Sequence, residues 1–159
     1  MRVNIYTLKM DNNKLCYLAK EKGTLYKTEK ERFTNPDSIY LLMQSVFDLN
    51  HLPEEHLYLL CFSTKGNLLG VFEVSHGCVD ATFCNPREIM QRALLCNSSS
   101  IVLVHNHPSG NPEPSKNDIS ATKRIFQVGQ LMGIPLNDHL IIGDSCYYSL
   151  AEKTDIFNN

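Results

Sequence analysis

No apolar run in this 159-residue sequence approaches the roughly 20 residues that a bilayer crossing needs, so nothing in it reads as a transmembrane helix. Its opening, MRVNIYTLKMDNNK, has polar residues where a secretory leader carries its apolar stretch, and no small-residue cleavage site follows. A cytoplasmic protein is the expectation. There is no Cys-x-x-Cys pair: Cys16, Cys61, Cys78, Cys84, Cys96 and Cys146 stand singly. That argues against a structural zinc site built from cysteines. Without an export signal, it also favours reduced thiols over a disulfide framework. Nor is there a surplus of one charge, the formal net value being −2. Residues 1–35 carry eight Lys/Arg against four Asp/Glu, leaving seven against thirteen in the remainder. Non-specific nucleic-acid binding rests on several cationic contacts to phosphates, so nucleic acid is a partner the charge does not support, though it does not exclude it. Internal repeats and low-complexity segments are also missing.

What is present suits one folded domain. The chain is 43% hydrophobic and 20% charged, and at about 150 residues folding buries roughly 70% of the unfolded surface. Residues 2–8 alternate apolar and polar, and residues 14–19 return across Asp11-Asn12-Asn13, which predicts an N-terminal hairpin. Residues 20–35 are charged and aperiodic, so 1–35 reads as a hairpin with a basic linker and 36–159 as the main unit. Asn35-Pro36 and Asn85-Pro86 each pair a capping asparagine with a proline at the first helical position. The first helix would present Ile39, Leu42, Val46 and Leu49, the second Ile89, Ala93 and Leu94. Strands are expected at 56–62, 68–74, 100–105, 139–143 and 146–150. A third helix runs from a Ser115 cap to about Met132, stopped by Gly133. Mixed strands and three helices indicate an α/β or α+β layered sheet.

The chemistry gathers in HNHPSGNPEPSKND, residues 105–118. His105 and His107, two apart at a strand end, point the same way, so both imidazoles can reach one ion. Asp118 opens the next helix, and a returning loop would bring its carboxylate toward them. Two imidazoles and one carboxylate leave a fourth tetrahedral position for water, the arrangement of a catalytic rather than a structural zinc. Ser115-x-x-Asp118 is equally a helix capping box, and on local grounds the two readings stand side by side.

His-x-His, seven residues, Ser, two residues, Asp matches the JAMM metallopeptidase signature at His105, His107, Ser115 and Asp118. With HNHPSG, the PS-x-x-D helix start, DHLIIGD at 138–144, EEHLYLLCFSTKGN at 54–67, Pro86-Arg87-Glu88, Arg92-Ala93-Leu94 and the run from Tyr147 to Glu152, the chain resembles the RadC family, bacterial members of the JAB/MPN domain superfamily. The likeness covers about residues 36–152. It implies a three-layer fold like that of cytidine deaminases, with a mixed central sheet and helices packed on it. It also implies Zn2+ held by His105, His107 and Asp118, and an upstream glutamate as general acid/base. Glu55 is the matching position, Glu54 its alternative, and Glu73 a more distant one.

On that resemblance Ser115 is expected to donate to the oxyanion of a tetrahedral intermediate. His139 is a possible hydrogen-bond partner behind a ligand, although a structural histidine is its default reading. His51, His56 and His76 have no motif around them and read as surface or turn residues. Pro108, Ser109 and Gly110 read as the loop that holds His107. A zinc-dependent hydrolase of peptide or isopeptide bonds is the leading expectation, its peptide or protein substrate unspecified. A DNA-repair-associated binding or scaffold module with a metal site but no peptidase activity is the alternative. Longer RadC members carry an upstream helix-hairpin-helix region that this sequence does not show. A nucleobase deaminase would need His-x-Glu with paired cysteines, which are absent.

Overall fold

The computed structural model describes residues 1–26, 33, 35–77 and 85–158. Strands β1 (Arg2–Met10) and β2 (Cys16–Leu25) form the N-terminal hairpin, followed by α1 (Pro36–Phe47), β3 (His56–Phe62), β4 (Leu68–His76), α2 (Pro86–Leu95), β5 (Ser100–Asn106), α3 (Lys116–Met132), β6 (Leu136–Ile142), β7 (Tyr147–Ser149) and the short α4 (Leu150–Lys153). The expected caps are in place. Asn35 Oδ1 accepts from Ser38 N, Asn85 Oδ1 from Arg87 N, and Ser115 Oγ from Asp118 N, each supplying an acceptor to a helix donor that has no intrahelical partner. Gly133 ends α3 at φ 67°, a left-handed conformation that glycine adopts without steric penalty.

Among the described residues the strands make one seven-stranded mixed sheet in the order β2-β1-β4-β3-β5-β6-β7. β1 pairs parallel with β4, so the N-terminal hairpin shares the sheet with the rest of the chain, and Val3 is fully buried. β5 and β6 also run parallel, joined by α3 as the crossover that such a pair requires. Central β5 is covered on both faces, as its continuous apolar sequence implies. Val102 and Val104 pack with Leu60 toward Ile39, Leu42 and Met43 of α1. Ile101 and Leu103 pack toward Ile89 and Ala93 of α2 and Ile125 of α3. The fold is therefore three layers, and the parity of Ile101 and Leu103 carries His105 onto the α2/α3 face. No helix among the described residues is long and apolar enough to cross a membrane.

Several expectations shift. β2 continues through residues 20–25, read from sequence as linker. As the outer strand it leaves Lys20, Glu21 and Lys22 exposed, and edge strands accept such charges because only one side is paired. The remaining linker residues 27–32 and 34 lie outside the described residues. Leu94 is 54% exposed instead of inward, since Ile89, Met90 and Ala93 already fill the buried stripe of α2. Helix α1 stops at Phe47 with Asp48 left-handed at φ 53°, and Leu49 is buried from a following 3-10 turn rather than from the helix. Residues 147–150 divide into a three-residue strand and the start of α4. Cys16, Cys61, Cys96 and Cys146 are free thiols, while Cys78 and Cys84 lie outside the described residues.

Candidate metal centre

His105 is the sixth residue of β5, and His107 follows just past the strand end, still tied to the sheet by His107 N donating to Ile142 O at 2.8 Å. Beyond it the chain folds back on itself, with Gly110 N donating to His107 O at 2.9 Å. The loop rests on Gly143, where a Cβ would stand 2.3 Å from Gly110 O and 2.8 Å from Pro112 Cδ. No side chain fits there. The returning chain delivers Asp118 in the first turn of α3. His105 Nε2 and His107 Nε2 are 3.0 Å apart. Asp118 Oδ1 lies 3.4 Å from the first and Oδ2 3.6 Å from the second.

The hydrogen bonds behind these atoms decide which way the imidazoles face. Thr122 Oγ1 lies 2.6 Å from Asp118 O, a carbonyl that only accepts, so the hydroxyl donates there. Oγ1 must then accept from His139 Nδ1 at 2.6 Å. His139 Nε2 is left bare and accepts from His105 Nδ1 at 2.8 Å. His105 Nε2 consequently carries a lone pair. His107 Nδ1 donates to Asn111 O at 2.8 Å, which likewise bares Nε2 in the neutral ring. Two imidazole lone pairs facing each other at 3.0 Å repel unless a cation lies between them. Ligands about 2.0–2.1 Å from a tetrahedral ion are roughly 3.3 Å from one another, so the spacings fit one ion.

Electrostatics agree with that arrangement. Burial, reinforced by His139, holds His105 well below the ordinary histidine range, and burial brings His139 down to about 4. Both are neutral near pH 7, as a metal-bound imidazole and its partner must be. A hydrogen bond to Asp118 is the main reason His107 is pushed up. A proton and a divalent ion therefore compete for the same place. Burial opposes ionisation of Asp118, but His107, His105 and two hydrogen bonds from Ser115 outweigh it and keep the carboxyl well below the usual range.

The capping box and the ligand reading turn out to be compatible. Ser115 N and Ser115 Oγ both donate to Asp118 Oδ2, at 2.7 and 2.5 Å. Oδ1 takes part in neither bond and faces His105. The Ser115 hydroxyl hydrogen is thus directed at Asp118 rather than at open space.

Glu54 and Glu55 precede β3 instead of lying on it, because pairing begins at His56. The alternation that would turn one inward therefore does not apply to them. Buried Asn106 holds this stretch: its Nδ2 donates to Glu54 O at 3.0 Å and its Oδ1 accepts from His56 N at 2.8 Å. Gly77 N donates to Glu55 O at 3.0 Å. The Glu55 carboxyl is pushed up by burial, with His107 lowering and Asp118 raising it, so it lies within electrostatic reach of both. The Glu54 carboxylate instead lies where a Cβ on Gly77 would meet it at 3.0 Å. Glu73 pairs across from Tyr58, whereas His105 pairs across from Leu57, so Glu73 projects from the opposite face of the sheet. His56 and His76 gather around it there and are more than isolated surface residues. His51 remains exposed, beside Asp48.

Residues 33–155 match the family described as RadC-like JAB domain. The chain belongs to this family. A UPF0758 protein of Alkaliphilus metalliredigens is 38% identical over 137 residues, 86% of this chain and 58% of that protein. One from Methanosarcina barkeri is 36% identical over 136 residues, again 86% and 58%. One from Clostridium novyi is 47% identical over 106 residues, 67% and 46%. The chain spans about half the length of the curated relatives it matches. In this RadC-like domain, Thr122, Asn106, Asn111 and Gly143 had no sequence signal of their own. Each acts on the site through its backbone or through a neighbour.

The relay behind His105 makes a direct prediction. Thr122→Val keeps the side chain's shape but removes the acceptor that fixes His139. Affinity for zinc in a calorimetric titration is expected to fall by roughly 10-fold, the lower end of what loss of a group behind a ligand costs. An unchanged affinity would show that His105 needs no such relay.

Proposed function

We propose that this RadC-like domain is a zinc-dependent hydrolase of peptide or isopeptide amide bonds. The observation that carries the reading is the convergence of two imidazole Nε2 lone pairs and Asp118 Oδ1, with Glu55 in electrostatic reach. Nitrogen and oxygen donors in a set of three suit zinc with an open position. Zinc bound there supplies Lewis acidity, which brings the pKa of a coordinated water from 15.7 toward about 7. His105 and His107 would hold that ion through their bare Nε2 atoms, and the Asp118 carboxylate would offset its charge.

Glu55 has the proton work. Its raised carboxyl takes a proton from the attacking water and returns it to the departing amine, a role in which a positioned carboxylate contributes about 10²–10⁴-fold. Asn106 and Gly77 fix the backbone on both sides of Glu55, so the base has a set place relative to the ligands. Ser115 first orients Asp118. Its expected part as an oxyanion donor asks the hydroxyl to turn from Asp118 Oδ2 toward substrate.

The test is cleavage of a fluorogenic library of peptides and Lys-linked isopeptides by the purified chain, by chelator-stripped protein, and by stripped protein given zinc back. Cleavage lost on stripping and restored by zinc supports the reading. A zinc-loaded chain that cleaves nothing across the library sinks it. A DNA-associated scaffold role draws on the exposed Arg2, Lys9, Lys14, Lys20 and Lys22 of the hairpin, and salt-sensitive binding to branched DNA would favour it.

A further inference from the structure

On the α1 face of the sheet, at the same end as the candidate centre, lies a second group of ligand-type side chains. His56 opens β3, while Glu73 and His76 lie in the last turns of side-chain alternation of β4. His56 Nδ1 is 2.8 Å and His76 Nδ1 3.1 Å from the same oxygen, Glu73 Oε1. The two rings stack with centroids 5.4 Å apart and planes 23° from parallel. Tyr58 lies against the His56 ring at 6.3 Å and 13°.

Two residues three apart on a regular strand point to opposite faces. Here they do not, because the register runs His56 to His76, Leu57 to Ser75, then Tyr58 to Glu73, skipping Val74. That β-bulge turns Glu73 and His76 to one side, the re-aiming that bulges provide next to functional sites. One nitrogen from each histidine and one carboxylate oxygen lie within 4.8 Å of one another.

We propose that His56, Glu73 and His76 form a second binding site for a zinc-class divalent ion, independent of the hydrolase reading. Two imidazoles and one carboxylate favour Zn2+, Ni2+ or Cu2+ over Mg2+ and Ca2+, which prefer all-oxygen shells. Without an ion, Glu73 Oε1 accepts from His56 Nδ1–H and lies 3.1 Å from His76 Nδ1; an ion bound at the two Nδ1 atoms takes the neutral tautomers whose hydrogen sits on Nε2. The His76 and Glu73 side chains are 63% and 41% exposed and His56 17%, so water can complete the shell. The ion ties the start of β3 to the end of β4. Those are the two segments that flank Glu55, whose neighbour is His56 and whose carbonyl accepts from Gly77, the residue after His76. The site is thus a clamp on the strand ends beside Glu55.

Zinc itself is the probe. Metal-free wild type, His76→Ala, Glu73→Gln and His107→Ala chains are loaded with micromolar zinc, passed through a desalting column and assayed for zinc per chain, with circular dichroism as the folding control. About two ions are expected on wild type and about one on each variant. Glu73→Gln keeps the side chain's shape and so separates loss of a ligand from loss of fold. A wild type that retains one zinc, lost with His107→Ala and kept with His76→Ala and Glu73→Gln, overturns the proposal. If instead His76→Ala and Glu73→Gln each lose one ion and His107→Ala loses none, the clamp stands and the first centre falls.

Discussion

A Glu55→Gln chain is expected to bind zinc as the parent does and to lose about 10²–10⁴-fold in amide hydrolysis. Glutamine has the shape of glutamate and no place for a proton at neutral pH. The backbone around position 55 is held by Asn106 and by Gly77 N through main-chain atoms of residues 54–56, so the substitution removes the base and keeps those bonds. Glu54→Gln is the control. Its carboxylate lies beside Gly77, and it should turn over at close to the parent rate. Zinc content by elemental analysis and initial rates on one cleaved substrate decide the matter. A Glu55→Gln chain with more than about a tenth of parental activity would remove Glu55 from the proton-transfer role.

Removing a ligand should be felt first in metal affinity. In a chain already carrying His76→Ala, so that only the first centre is counted, His107→Ala is expected to weaken zinc binding by more than about 100-fold, beyond the roughly 10–100-fold that groups behind a ligand cost. Two donors remain in that variant, and Asp118 loses the neighbour that most strongly favours its charge. The same loss should appear in unfolding. Zinc at 100 times its dissociation constant stabilises the folded chain by about 2.7 kcal/mol. At roughly 2–4 °C per kcal/mol for a domain of this size, the thermal midpoint rises by roughly 5–11 °C in the parent and by less than about 2 °C with His107→Ala. An equal rise in both would mean that zinc stabilises the fold through other residues.

The frame of the fold is legible in sequence wherever one local rule acts alone. Asn-Pro twice and Ser115 once mark helix starts because a capping oxygen and a fixed φ need nothing beyond the local chain. The apolar blocks at 56–62 and 100–105 match their strands because both faces are covered. His105, His107 and Asp118 were readable because pleat and loop bring them together over a short span. Glu55 was harder. It stands just ahead of the strand that begins at His56, so no alternation rule orients it, and it is held there by Asn106, which bonds Glu54 O and His56 N. The bulge that skips Val74 was invisible to an alternation rule, so His56, Glu73 and His76 read as unrelated. Gly143 is glycine because Gly110 O comes close, a contact that only the folded loop creates. Leu94 was misplaced because helical spacing offers more apolar positions than the α2 interface can cover.

Asp118 serves architecture and the candidate centre with one carboxylate, and its Oδ2 also lies 3.6 Å from His107 Nε2. Oδ2 takes the Ser115 hydrogen bonds that start α3, and Oδ1 looks toward His105. Nucleating the helix and presenting the ligand are therefore a single event. Whenever the first turn of α3 frays, the coordination geometry dissolves with it, and an ion held there stiffens that turn in return. If the proposed centre binds an ion, its occupancy enters the local opening free energy of residues 115–119, and backbone protection at that one helix end would gauge whether the centre is filled.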